Sequence, residues 1–131
     1  MEKINFRKFY TSSGKLVLAG RDSENNEELV KQAGKDELVL HTKAPGSPFV
    51  NIKLKAGEKI GEKDIKEAAL FCAKYSQAWK KAKIKKDVAI HIFKGKDIFK
   101  ARDMKTGTFG VKRFKETAAK KEDIENCEKH G

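Results

Sequence analysis

The chain lacks most of what usually betrays a function. It has two cysteines, two prolines, two methionines and one tryptophan in 131 residues. Cys72 and Cys127 lie 55 positions apart, which fits neither zinc-ligand spacing nor a disulfide framework. The expected compartment is therefore a reducing cytoplasm. No apolar run approaches the roughly 20 residues of a spanning helix, so no membrane segment is expected. The opening MEKINFRKFY enters strand-like alternation directly, without an apolar core or small-residue cleavage site, so no signal peptide is expected either. There is no G-x-S-x-G, H-E-x-x-H, P-loop or G-x-G-x-x-G, so no enzymatic activity is expected. His41, His91 and His130 have no ligand spacing, and GRDSENNEE lacks the alternating aspartates of a calcium loop. No metal and no cofactor are expected. Internal repeats, low-complexity tracts and a second domain are also missing, and the length suits one domain.

What is present is positive charge. Lysine and arginine number 30 against 19 acids, a net charge of +11. From Phe114 onward there are four lysines and five acids, so residues 1–113 carry the whole excess, 26 minus 14 or +12. A basic body with a near-neutral end fits a polyanionic partner.

The apolar pattern predicts alternating elements. INFRKFYTSSGKLVLAG reads as a hairpin turning at TSSGK, with Ile4, Phe6 and Phe9 in its first strand. SENNEELVKQAG reads as a helix capped by Asp22 or Ser23 and stopped at Gly34. DELVLHT and PFVNIKL are two further strands about a Pro45-Gly46 turn, with Leu38 and Leu40 on one face and Val39 and His41 on the other. EKDIKEAALFCAKYSQAWKKAK reads as the longest helix, with an inner stripe of Ile65, Ala68, Ala69, Cys72, Tyr75, Ser76 and Trp79. DVAIHIF is apolar on both faces and belongs inside the sheet, with His91 in the core. DIFKA and TGTFGVKRF are the last strands. The order β-β-α-β-β-α-β-β-β predicts an α+β domain with a mixed or mostly antiparallel sheet of six or seven strands and two main helices. Residues 1–115 are expected to form the domain, and residues 116–131 a short helical or mobile tail.

Candidate binding residues follow from charge and turn chemistry. WKKAKIKK supplies Lys80, Lys81 and Lys83, the segment after it Arg102 and Lys105, and GVKRFK Lys112 and Arg113. Long cations along a sheet suit phosphate contacts, which need charge but little geometry. Around TKAPGS, His41, Lys43 and Ser47 could cradle a phosphate. In GRDSENNE, Arg21 and Asn26 exceed what a strand-to-helix turn requires. Asp22, His41 and Ser47 form the candidate cluster if the domain does acid–base chemistry. No paired aromatics of the kind that stack bases stand on the predicted strands.

LAGRDSENNEELVK, DELVLHTKAPGSPFVNI, EAALFCAKYSQAWKKAK and MKTGTFGVKRFK together resemble, in order, the NFACT RNA-binding domain of the NEMF and fibronectin-binding-protein-like proteins. The likeness runs from about Phe6 to Lys115. The family's glycine-arginine block falls on Gly20, Arg21 and Asn26. Its D-L-W-x-H and P-G-S-H block falls on Asp36, Leu38, Val39, His41, Pro45, Gly46 and Ser47, and its last block on Thr106, Gly107, Phe109 and Lys112. Val39 replaces an aromatic and Pro48 a histidine. The resemblance implies a stand-alone, cytoplasmic, non-enzymatic RNA-binding module, working on transfer or ribosomal RNA in translation, ribosome quality control or RNA modification. The alternatives are DNA binding, a protein partner, or a component of an RNA-processing enzyme.

Overall fold

The computed structural model describes residues 5–130. Ile4, expected in the first strand, lies outside them. Along the chain run β1 (Arg7–Tyr10), β2 (Leu16–Ala19), α1 (Ser23–Gln32), β3 (Leu38–Thr42), β4 (Val50–Ile52), α2 (Glu62–Lys74), α3 (Gln77–Lys80), β5 (Val88–Lys94), β6 (Ile98–Phe99), β7 (Gly110–Val111), β8 (Lys115–Ala119) and α4 (Lys121–His130). Six strands form one antiparallel sheet in the order β1-β2-β4-β3-β5-β8, and β6 pairs with β7 in a separate ribbon. The α+β class and the antiparallel sheet agree with the sequence.

The two crossovers decide which face each helix covers. β2 reaches β3 through α1, and β4 reaches β5 through α2, each skipping one strand in the same direction across the sheet. β2 and β4 are antiparallel, so right-handed crossovers place the two helices on opposite faces. The alternation of side chains agrees. Val17, Ala19, Leu40, Val50, Ile52 and Ile90 pack with Ala68, Ala69, Cys72 and Ala73 of α2. Leu18, Val39 and Phe93 pack with Leu29 of α1, and Phe109 and Val111 close over them. Small residues on α2 let that helix sit close, whereas α1 and the ribbon cover only part of the other face.

Asn51 sits fully buried on the α1 face. Its amide donates to the Leu38 carbonyl at 3.1 Å and its oxygen accepts from Gln32 Nε2 at 2.9 Å, so the buried polar group is satisfied.

Three features depart from expectation. The long helix breaks at Ser76, whose hydroxyl donates to the Ala73 carbonyl at 2.7 Å and accepts from the Trp79 amide at 3.2 Å. A serine hydroxyl competing for backbone groups is a known helix interrupter. The break turns Trp79 into the core at 2% exposure, and the Gln77 amide docks on the Gly46 carbonyl at 2.7 Å. Residues 116–119, expected to begin a tail, instead continue from Lys115 as a strand that pairs with β5 from Ile92↔Lys115 to Val88↔Ala119. The following segment is a ten-residue helix whose Ile124 is buried against the α2 core. Among the described residues the main sheet holds six strands, within the six or seven expected, while β6 and β7 stand apart from it as a ribbon and α3 and α4 are added to the two main helices expected.

Candidate nucleic-acid interface

The uncovered end of the α1 face is a concavity of about 590 Å³. The turn before α1, the end of β3, the 45–49 loop, the start of α3 and the loop before β7 all reach it. The polar crowd at the first of these has a defined division of labour. Asp22 Oδ1 accepts from the Asn25 amide at 2.8 Å and caps α1. Asn25 Oδ1 holds the Arg21 amide at 2.9 Å. Asn26 Oδ1 accepts from the Phe49 amide at 3.1 Å and ties the turn to the segment entering β4. A Cβ at Gly20 would lie 1.8 Å from that Asn26 oxygen, so only glycine fits there. Arg21 is what remains. Its side chain is exposed, lines the concavity and has no carboxylate partner among the described residues.

Arg7, which sequence reasoning missed, braces the same corner. Its Nη1 donates to the Gly20 carbonyl at 2.6 Å, and its guanidinium stacks 4.4 Å above the Tyr75 ring. The available signal was its position two residues before Phe9, a cation on the inward face of a strand. Lys80 Nζ also lies over Tyr75, at 5.6 Å. Arg7, Arg21, Lys43 and Lys80 thus face the concavity, with Asp22 as its one lining carboxylate and Glu116 3.9 Å from Lys43 Nζ at its edge. The N-terminal turn of α1 adds the positive end of its dipole.

The floor is aromatic and half-polar. His41 packs 4.4 Å from Phe49, and Phe109 meets Phe49 edge-on at 5.4 Å. His41 Nδ1 lies 2.7 Å from the Thr42 carbonyl; donating there leaves Nε2 unprotonated in the neutral ring. Burial, with the neighbouring His91, holds the His41 pKa below the usual histidine range. His91, expected in the core, is instead half-buried in the wall of the concavity, its Nε2 3.0 Å from Glu116 Oε1. The Ser47 hydroxyl is engaged locally, donating to the Pro48 carbonyl and accepting from the Thr42 amide, each at 3.1 Å. Cys72 is packing: burial pushes its thiol up to about 12.

The rim is held by one knot. Glu27 Oε1 accepts from the Gly107 amide at 2.8 Å and from Lys100 Nζ at 3.0 Å. Lys100 also donates to the Lys105 and Thr108 carbonyls, which gathers the loop onto α1.

Six of the twelve candidate residues therefore come together: Arg21, Asn26, His41, Lys43, Ser47 and Lys80. Lys81, Lys83, Arg102, Lys105, Lys112 and Arg113 lie outside the concavity, each exposed. Tyr75, Gln77 and His91 join the site because of the Ser76 break and the β3–β5 register. No group of three or more histidine, cysteine or acidic side chains among the described residues could hold a metal. No helix among them is long and apolar enough to cross a membrane.

Fold and site define a small basic α+β domain with a cation-lined concavity at one end of its sheet. Residues 5–113 match the family model of the NFACT protein RNA binding domain, and the chain belongs to that family. It is 38% identical over 74 residues to the archaeal Rqc2 homolog aRqcH of Methanocaldococcus jannaschii. It is 36% identical over 78 residues to the ribosome quality control complex subunit NEMF homolog of Drosophila melanogaster, and 32% over 72 residues to NEMF of Homo sapiens. These stretches cover 56%, 56% and 54% of the chain but 11%, 8% and 7% of the relatives. The C-terminal structure of the fibronectin/fibrinogen-binding protein from Streptococcus suis shares the fold, with a TM-score of 0.78 at 21% identity, over 96% of this chain and 50% of that one.

Proposed function

We propose that the concavity seats the sugar-phosphate backbone of a structured RNA, transfer or ribosomal, and that the domain works without catalysis in a ribosome quality control setting. The observation that carries this is the convergence of Arg7, Arg21, Lys43 and Lys80 on one hollow from four separate elements, where the one lining carboxylate, Asp22, is already spent on a helix cap and the nearby Glu116 is shared by Lys43 and His91. Family membership supports RNA as the polyanion, and the names of the relatives support the setting. The exposed cations outside the hollow, Lys81, Lys83, Arg102, Lys105, Lys112 and Arg113, extend the footprint along the backbone. Asp22, His41 and Ser47 all face the hollow, but each is committed to a local hydrogen bond, which favours anchoring over acid–base work.

The test is fluorescence anisotropy of labelled transfer RNA, a matched DNA duplex and heparin across a salt series. Neutralising roughly six to ten phosphates predicts a loss of about 10³ to 10⁵ in affinity between 50 and 200 mM salt. Preference for the transfer RNA that survives heparin competition supports the proposal. Equal binding to all three polyanions reduces it to net charge.

A further inference from the structure

Four large apolar side chains are exposed among the described residues: Tyr10, Ile84, Phe99 and Phe114. Phe114 differs from the rest in how it is held. Its ring lies flat on His91, with centroids 4.2 Å apart and planes 22° from parallel. Glu116 Oε1 fixes the His91 ring at 3.0 Å, and His91 is itself the register partner of both His41 and Glu116 inside the sheet. The ring is therefore braced on one side and 54% exposed. The residues beside it in the chain are cations, Lys112, Arg113 and Lys115, all exposed. His91 also lines the concavity. The braced ring and the hollow share that wall.

A rigid aromatic face with flanking cations is the arrangement that binds unpaired nucleotides with little sequence preference: the ring takes the base and the cations take the backbone. We propose that Phe114 is a stacking platform for an unpaired nucleobase of the RNA whose backbone occupies the concavity. The inference rests on the RNA-binding reading above and adds to it a preference for RNA with a single-stranded extension or loop next to the bound helix. The paired aromatics sought in the sequence are absent from the predicted strands because the pair is built across the sheet, one ring from β5 and one from the bend before β8.

The test uses the intact chain and two RNA hairpins of equal phosphate count, one with an unpaired adenosine extension and one fully paired. Phe114→Ala is expected to weaken the extended hairpin by about five- to 150-fold and so to erase its advantage over the paired one. Phe114→Trp is expected to keep that advantage. An equal change on both RNAs, or none, overturns the platform while leaving backbone binding in place. Wild-type protein that binds neither hairpin overturns the RNA-binding reading and the platform with it. Should the alanine variant lose its fold, 2-aminopurine in the extension decides with wild-type protein: quenching on binding supports stacking, and unchanged fluorescence overturns it.

Discussion

His41 and His91 stand directly opposite one another on adjacent antiparallel strands, β3 and β5, with their side chains on the same face as Val39 and Phe93. Inward from this pair the face is closed core; at the pair it opens into the cation-lined hollow. Burial and the neighbouring imidazole keep His41 neutral at physiological pH. Because its folded pKa lies below the unfolded value of about 6.5, the contribution of His41 to stability is complete above that value. It is lost as pH falls through the folded pKa, where the native state must take up a proton it disfavours. A histidine titration by NMR should find the His41 midpoint below the ordinary range. Saturating RNA should move it upward, since a phosphate in the hollow favours the charged ring.

The Glu27 knot predicts a second pH effect on the rim. The Gly107 amide above all, with Lys100, outweighs desolvation and holds the Glu27 carboxyl below its usual range. Its contribution is present above about pH 4.3 and lost as pH falls through the lowered folded value. Proteolysis within residues 100–109 should speed up under acid, and Glu27→Gln should show the fast rate at neutral pH.

Gly107 is the sharper point of the same knot. Its φ is +82°, and a Cβ there would lie 2.8 Å from Ser23 Cβ. Gly107→Ala should therefore lift the loop from α1 at a cost of about 1–3 kcal/mol. RNA affinity should fall while the melting of the main sheet, followed by circular dichroism, stays nearly as before.

Asn51 predicts stability without function. Asn51→Ala removes the buried donor to the Leu38 carbonyl and one of the two acceptors of Gln32 Nε2, for about 1–3 kcal/mol. Urea denaturation should show a lower midpoint with unchanged slope, and RNA affinity in the absence of denaturant should match wild type.

Much of the sheet was legible because alternation is local. Leu38 and Leu40 against Val39 and His41 gave the two faces of β3, and Asp22 announced the start of α1. β8 was not legible: KETAA offers Thr117 as its only strong strand former, and its partner β5 lies far away in sequence. The helix break depended on a single hydroxyl, at Ser76, choosing the Ala73 carbonyl within an otherwise helical stripe. The site was half legible for a related reason. Turn chemistry and charge pointed to Arg21, Asn26, His41, Lys43, Ser47 and Lys80, all local signals. Arg7 and His91 enter only through the pairing of β1 with β2 and of β5 with β3.

The most direct measurement separates the hollow from net charge. Arg21→Glu with Lys80→Glu reverses two cations inside the hollow. Lys55→Glu with Lys59→Glu makes the same change in net charge beyond the far end of β4, away from His41. Affinity for transfer RNA across a salt series should fall by about a hundredfold or more for the first pair, with the salt slope reduced by about two. The second pair should keep a slope close to wild type. Equal losses for the two pairs would contradict a seat in the hollow and leave the +11 charge as the whole cause of binding.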